Sequence, residues 1–258
     1  MALEIIKQNF IILFIASFCL GLDKGGLKLL LVVCMYFLTK IVPSKDMLSI
    51  LAPIMFIGDI IPIYIYRKDV NKKAVFSFLP YVIIGIILAG FLSKNLDDSN
   101  FTAILALFIL MMAIMMSVSQ YKNSKKTVEQ LNEIKKPLSP PVKTVLGFIT
   151  GISSISNSAA AITNMYFFRE TKTRQEFIGS SSAFFFFVNA LKLIVIAFLW
   201  KTVNAQTLLL AAAMIPGALV GIFVATKLIK IMPEIVFKII ILISVYYVAI
   251  MLLLKNFL

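Results

Sequence analysis

GLDKGGLK at residues 21–28 and GISSISNS at residues 151–158 stand 130 positions apart. The first interrupts an apolar run over 5–38, the second an apolar run over 144–168. On either side of each interruption about 13 residues remain, roughly 20 Å of helix, too short for a hydrocarbon core of about 30 Å. Each run is therefore expected to be a broken or re-entrant helix pair that meets at a polar tip.

The repetition extends beyond the two breaks. Met35-Tyr36-Phe37 matches Met165-Tyr166-Phe167, and Asp59 falls on Asn189 in the same register. After a short insertion the offset becomes 136, which places Pro80, Gly85 and Ala89 on Pro216, Gly221 and Ala225. Duplicated hydrophobic halves that share helix breakers and buried polar residues are a common plan for transporters. The chain divides into an N-terminal membrane repeat over 1–118, a basic linker over 119–143 and a C-terminal membrane repeat over 144–258.

Composition agrees. Hydrophobic residues make up 60% of the chain and its mean hydropathy is +0.98, whereas a soluble domain holds about 45–50% apolar residues. The expected class is an all-α polytopic membrane protein. Uninterrupted spans are expected near 46–66, 73–92, 101–118, 176–200, 206–227 and 235–254, and with the two broken pairs the total is about eight membrane segments. No cleaved signal peptide is expected, because Glu4 and Lys7 replace a basic start and the run near Cys19 reads as the first membrane segment.

The formal charge of +13 does not point to nucleic acid, because the lysines occupy short loops between apolar runs. The linker, the Arg67 to Lys73 loop, the Arg169 to Arg174 loop and Lys227 with Lys230 are expected on the cytoplasmic side. The loops with Lys40 and Lys45, with Lys94, and with Lys201 are expected outside. That parity makes residues 144–168 leave the cytoplasm and return to it, and gives the two halves opposite orientations.

The candidate site gathers around the breaks. Gly25 and Gly26 allow the chain to unwind and to present backbone amides to an anion at the start of the next half-helix, with Lys24 and Lys28 adding charge. The opposing reading is a hairpin turn with solvated lysines. Ser153, Ser154, Ser156, Asn157 and Ser158 offer hydroxyl and amide donors, or equally the small polar residues that join helices. Asp59 and Lys192 are ionisable groups inside spans. Asp59 is the proton-coupling candidate, and a structural ion pair with Lys192, Lys24 or Lys28 is the alternative. Ser182, Asn189 and Lys192 fall on one helical face, which must point inward. The run Phe184 to Phe187 is read as lipid contact, and the Pro80 and Pro216 sets as close helix packing.

Other chemistry is poorly served. The chain has no histidine and no metal-ligand spacing, so no metal and no cofactor is expected. Cys19 and Cys34 read as packing residues. No nucleophile–base pair and no Walker-type loop is present, which argues against an enzyme and against ATP-driven pumping.

Across nearly its whole length the chain resembles the TauE/SafE sulfite exporter family, the toluenesulfonate uptake permeases. The resemblance lies in GLDKGGLK at 21–28, in a second copy starting at Gly147 (GFITGISSIS), and in the helix with proline, glycine and alanine recurring at 79–90 and 215–226. It implies secondary transport of a small sulfur-containing anion, sulfite or an organic sulfur anion, across the cytoplasmic membrane. The expected partners are that anion and the lipid bilayer. The competing expectation is a membrane-embedded assembly or scaffold subunit without a substrate of its own.

Overall fold

The computed structural model describes residues 2–27, 30–92, 138–154, 157 and 159–233, with positions 236, 239, 240 and 243 beyond them. The expected span at 101–118, most of that at 235–254 and most of the linker lie outside the described residues. Among the described residues every regular element is helical. The helices are α1 (Ala2–Lys24), α2 (Leu31–Thr39), α3 (Ser44–Ile65), α4 (Lys72–Leu92), α5 (Pro140–Ser154), α6 (Ala160–Glu170), α7 (Arg174–Val195) and α8 (Ala205–Ile231). A π-helical turn over Ile196–Trp200 extends α7. Five stretches, in α1, α3, α4, α7 and α8, are long and apolar enough to cross a membrane. The chain is therefore a multi-pass membrane protein.

Both expected interruptions are present. Helix α1 has non-helical dihedrals at Asn9, so its straight part covers residues 10–24. That part coincides with α5, 15 residues long, at the offset of 130. Fifteen residues span about 22 Å. The helices that follow the breaks are shorter still, 9 residues in α2 and 11 in α6.

Each break is closed by backbone chemistry suited to its residues. Gly26 adopts a φ of +124°, its N–H donates to Asp23 O at 3.1 Å and Leu27 N–H donates to Leu22 O at 3.0 Å. This pair of bonds is a Schellman cap, which needs a left-handed residue where glycine carries no β-carbon penalty. In the second half Asn157 takes that part with φ 61° and donates its N–H to Ser154 O at 3.1 Å. Asparagine is the other residue that tolerates this conformation. In the last turns of α5, Thr150, Ser153 and Ser154 donate their hydroxyls to carbonyls of their own helix. Back-bonding of this kind keeps polar groups satisfied where water is scarce.

Packing pairs the halves crosswise. Helix α1 lies along α8 and α4 along α5, while α3 packs on α7 and α8. A β-carbon on Gly21 would sit 2.0 Å from Ala218 O and 2.9 Å from Gly221 Cα. One on Gly151 would sit 2.2 Å from Val82 O and 2.7 Å from Gly85 Cα. The two crossings use matched residues, Gly21 with Gly151 and Gly85 with Gly221. Small residues let backbones approach this closely where dispersion rather than water drives helix association.

Contacts also give helix directions. Gly217 meets Phe14 and Ser17, Gly221 meets Phe18, and Gly25 meets Ile222 and Ala225, so α1 and α8 run parallel. Gly147 meets Phe78 and Tyr81 and Gly151 meets Val82, so α4 and α5 are parallel too. By contrast α3 and α7 are antiparallel. Ser49 near the start of α3 donates to Thr202 Oγ1 beyond α7 at 2.7 Å. Ser180 near the start of α7 accepts from Asn71 N beyond α3 at 2.8 Å.

Basic loops collect at one end. Arg174 donates to Ile229 O at 2.9 Å and also to Met232 O, Asn71 Nδ2 donates to Glu176 at 2.9 Å, and Lys143 pairs with Glu170 at 3.9 Å. The buried apolar side chains form two clusters. One holds Phe78, Tyr166, Phe167, Phe177 and Phe184, the other Leu13, Leu20, Cys34, Leu38 and Ile50. Phe184 to Phe187 departs from the expectation of lipid contact. Phe184 is fully buried, with Phe78 and Phe167 rings 5.5 and 5.4 Å away, and Phe185 is also buried while Phe187 is exposed. Successive residues on a helix are about 100° apart, so a run of four phenylalanines sweeps most of the way round and cannot all face lipid.

Gly21→Ala and Gly151→Ala should each lower stability by about 1–3 kcal/mol, because the added methyl meets backbone that cannot step aside. Gly90→Ala should cost less, since its nearest neighbour is the Val195 side chain at 3.2 Å. Thermal denaturation in detergent measures all three. Equal tolerance at the three positions would overturn the crossings.

Candidate functional site

A layer of ionisable and amide side chains lies between the two apolar cores, where the tips of both interrupted pairs come together. Lys24, on the last turn of α1, donates to both carboxylate oxygens of Asp59 at 2.8 Å. Asn189 Nδ2 donates to Asp59 Oδ2 at 2.7 Å. Asp59 is fully buried and Lys24 is 3% exposed. Asp59 and Asn189 are register-matched positions of the two halves, and they meet directly. Phe56 and Phe186, also matched, stack beside them with centroids 4.7 Å apart.

Lys192 on α7 is 1% exposed. It donates to Asn157 Oδ1, a neutral amide. The Nδ2 of the same Asn157 is buried and has no hydrogen-bond partner among the described residues. An ammonium inside a span with only an amide for company is costly.

The two breaks line one cavity. Its walls include Asp23 and Lys24 from the first break, Ser154, Asn157, Ala159 and Ala160 from the second, and Phe185, Val188 and Asn189 from α7. At about 20 Å³ it holds one water, which needs about 10–15 Å³. An anion with four or five heavy atoms enters only after the walls move.

The sequence-derived candidates separate into three groups. Lys24, Ser154, Asn157 and Asn189 border the cavity, and Asp59 and Lys192 bond directly to residues that border it. Gly25 and Gly26 stand elsewhere, against Ala225 and Ile222 of α8 and against Ile229 and Ile178. Their amides, expected to face an anion, instead donate to Gly21 O and Asp23 O in the cap of α1. The hydroxyls of Ser153 and Ser154 donate to their own helix. Lys28, Ser156 and Ser158 lie outside the described residues.

Two wall residues whose side chains make electrostatic contacts were not among the candidates. Asp23 accepts from Leu31 N at 3.3 Å, so the chain's own carboxylate sits at the positive start of α2. Its place inside the first break was the available signal. Phe185 presents its ring to the Lys24 ammonium, 5.4 Å from the centroid, a cation–π contact that a run of phenylalanines conceals.

The family model described as Sulfite exporter TauE/SafE matches residues 9–252. No curated protein and no solved structure matches the chain.

Removing one partner of the buried pair should be worse than removing both. Lys24→Met takes the counter-charge away from the buried Asp59 carboxylate, at a cost of about 3–5 kcal/mol. The double variant Lys24→Met, Asp59→Leu should recover most of that loss. Melting temperatures in detergent complete the cycle, and a neutral Lys24→Met would sink the pairing.

Proposed function

The chain belongs to the sulfite exporter TauE/SafE family, and on that premise we propose that it is a secondary transporter of a small sulfur-containing anion, sulfite foremost, across the cytoplasmic membrane. The observation that carries the proposal is Lys192, a buried ammonium whose partner is the neutral amide of Asn157 at the junction of two interrupted helix pairs. An oxyanion would accept from Lys192 Nζ and from the unpartnered Asn157 Nδ2. Lys24, Asn189 and Ser154 line the same cavity.

The proposed topology is two inverted repeats, 1–118 and 144–258, joined by the cytoplasmic linker 119–143, with about eight membrane segments. Antiparallel packing of the matched helices α3 and α7 supports opposite orientation. So do the crosswise partnerships of α1 with α8 and α5 with α4. The end that gathers Arg67, Lys143, Arg169, Arg174 and Lys230 is assigned to the cytoplasm, following the bias of basic loops.

In such an arrangement the site stays near the midplane while the halves rock around it, exposing it to each side in turn. The small volume of the cavity fits a state between those two exposures. Charge balance at the site involves Asp59, which either carries a proton with the anion or stays ionised against Lys24. Neither ATP hydrolysis nor covalent chemistry enters this scheme.

Sulfite efflux from loaded proteoliposomes tests the reading. Wild type should release sulfite, and Lys192→Gln should slow the initial rate at least about tenfold, since a hydrogen bond to a charged group is worth roughly 1.5–3 kcal/mol. Absence of flux for sulfite and for sulfonates in the wild type would favour a scaffold role.

A further inference from the structure

One face of α7 runs from the basic end of the bundle to the junction. Arg174, Ile178, Ser182, Phe185, Asn189 and Lys192 fall within about 80° of arc on that helix and span about 27 Å of its length. Phe185 and Asn189 line the cavity, and Lys192 bonds to Asn157 of the same wall. Ser182 lies about 6 Å along the helix from Ile178. Its hydroxyl is buried and has no hydrogen-bond partner among the described residues, whereas neighbouring Ser181 donates to Ile178 O at 3.2 Å. A serine that could bond back to its own helix and does not leaves a donor and an acceptor unused in the protein interior.

Between Ser182 and the basic end this face is blocked. Among the described residues, packing gathers α1, α2, α3 and α8 into one group and α4, α5, α6 and α7 into another, joined along α3 and α7. Ile229 of the first group and Ile178 of the second both close on Gly26, where a β-carbon would meet the tip of each side chain. Both isoleucines are buried. One turn further out, Arg174 donates to Ile229 O at 2.9 Å and also to Met232 O. Those carbonyls end α8, where the helix is negative and a guanidinium suits two acceptors. Arg174 thus ties the last turn of α8 to the first turn of α7, directly over the apolar contact.

Resting on the transport reading above, we propose that this face of α7 is the route between the junction cavity and the basic end. Ile178, Gly26 and Ile229 are its plug, Arg174 is the latch that holds the plug shut, and Ser182 is the first polar contact inside. Opening moves the last turn of α8 away from α7. Arg174 then gives up both carbonyls, and the isoleucines part over a glycine that has no side chain to refill the gap. The Ser182 hydroxyl supplies a hydrogen bond to a solute that has left water and not yet reached the junction.

Cysteine labelling tests the route without requiring flux. The substitutions Cys19→Ala and Cys34→Ala remove both cysteines of the chain, and Ser182→Cys in that background meets a membrane-impermeant thiol reagent from either side of the membrane. Lys68→Cys, in the exposed loop after α3, reports which side the basic end faces. Ser182→Cys should react slowly from that side, and adding Arg174→Met should speed the reaction at least about tenfold, since two hydrogen bonds from a charged group are lost. Ser49→Cys, buried beside Thr202 at the other end, should keep its rate. Should Arg174→Met fail to insert, Arg174→Lys, which gives up the fork, should still raise the rate at Ser182→Cys. No reaction in the Arg174 variants, reaction only from the opposite side, or an equal rise at Ser49→Cys would each overturn the inference. Sulfite and sulfonate flux is measured separately, and its absence beside an intact labelling pattern removes the transport reading while leaving the opening.

Discussion

A chain that breaks its helices inside a bilayer must satisfy every freed backbone group without help from water. The rest of this structure depends on how that is done. At the first break, Gly26 turns into the left-handed region and closes the end of α1, while Asp23 reaches the exposed amide of Leu31. At the second, Asn157 makes the equivalent turn with a side chain still attached. Glycine at one tip closes the backbone and adds nothing to the cavity. Asparagine at the other closes the backbone and leaves an amide there to bind Lys192. Conformational need and ligand chemistry are thus combined in one residue on one side only.

The architecture was legible because its determinants are local and periodic. Apolar runs, polar interruptions and basic loops each follow from the solvent the segment meets, and they repeat at a nearly constant offset. The half-helices, the close glycine crossings and the inward face of Ser182, Asn189 and Lys192 all carried that signature. Partnerships were harder to read. Lys24, Lys28 and Lys192 were equally eligible partners for Asp59, and spacing alone does not say which ammonium arrives within 2.8 Å. The fate of the Gly25 and Gly26 amides was hidden for a related reason. A glycine pair reads the same whether it opens a backbone to a ligand or completes a helix cap. Phe184 and Phe185 misled because composition records apolarity, and both lipid and a packed core welcome it.

Fold and site are linked through packing. Gly21 and Gly151 bring α1 and α5 against their partner helices at backbone distance, and the tips of those two helices carry Lys24 and lead into Asn157. Bulkier residues at the crossings would displace the tips as well as loosen the bundle. The apolar clusters beside the site serve it too, since they exclude water and raise the electrostatic cost of any unbalanced charge.

Asp59 and Asn189 occupy the same place in their respective halves and touch each other. Two identical subunits assembled in this way would be forced to set acid against acid or amide against amide. A carboxylate facing a carboxamide is open only to a single polypeptide whose halves are free to diverge. Joining the halves in one chain therefore did more than tether them: it permitted a lopsided centre, with Lys24 held by a carboxylate and Lys192 by an amide.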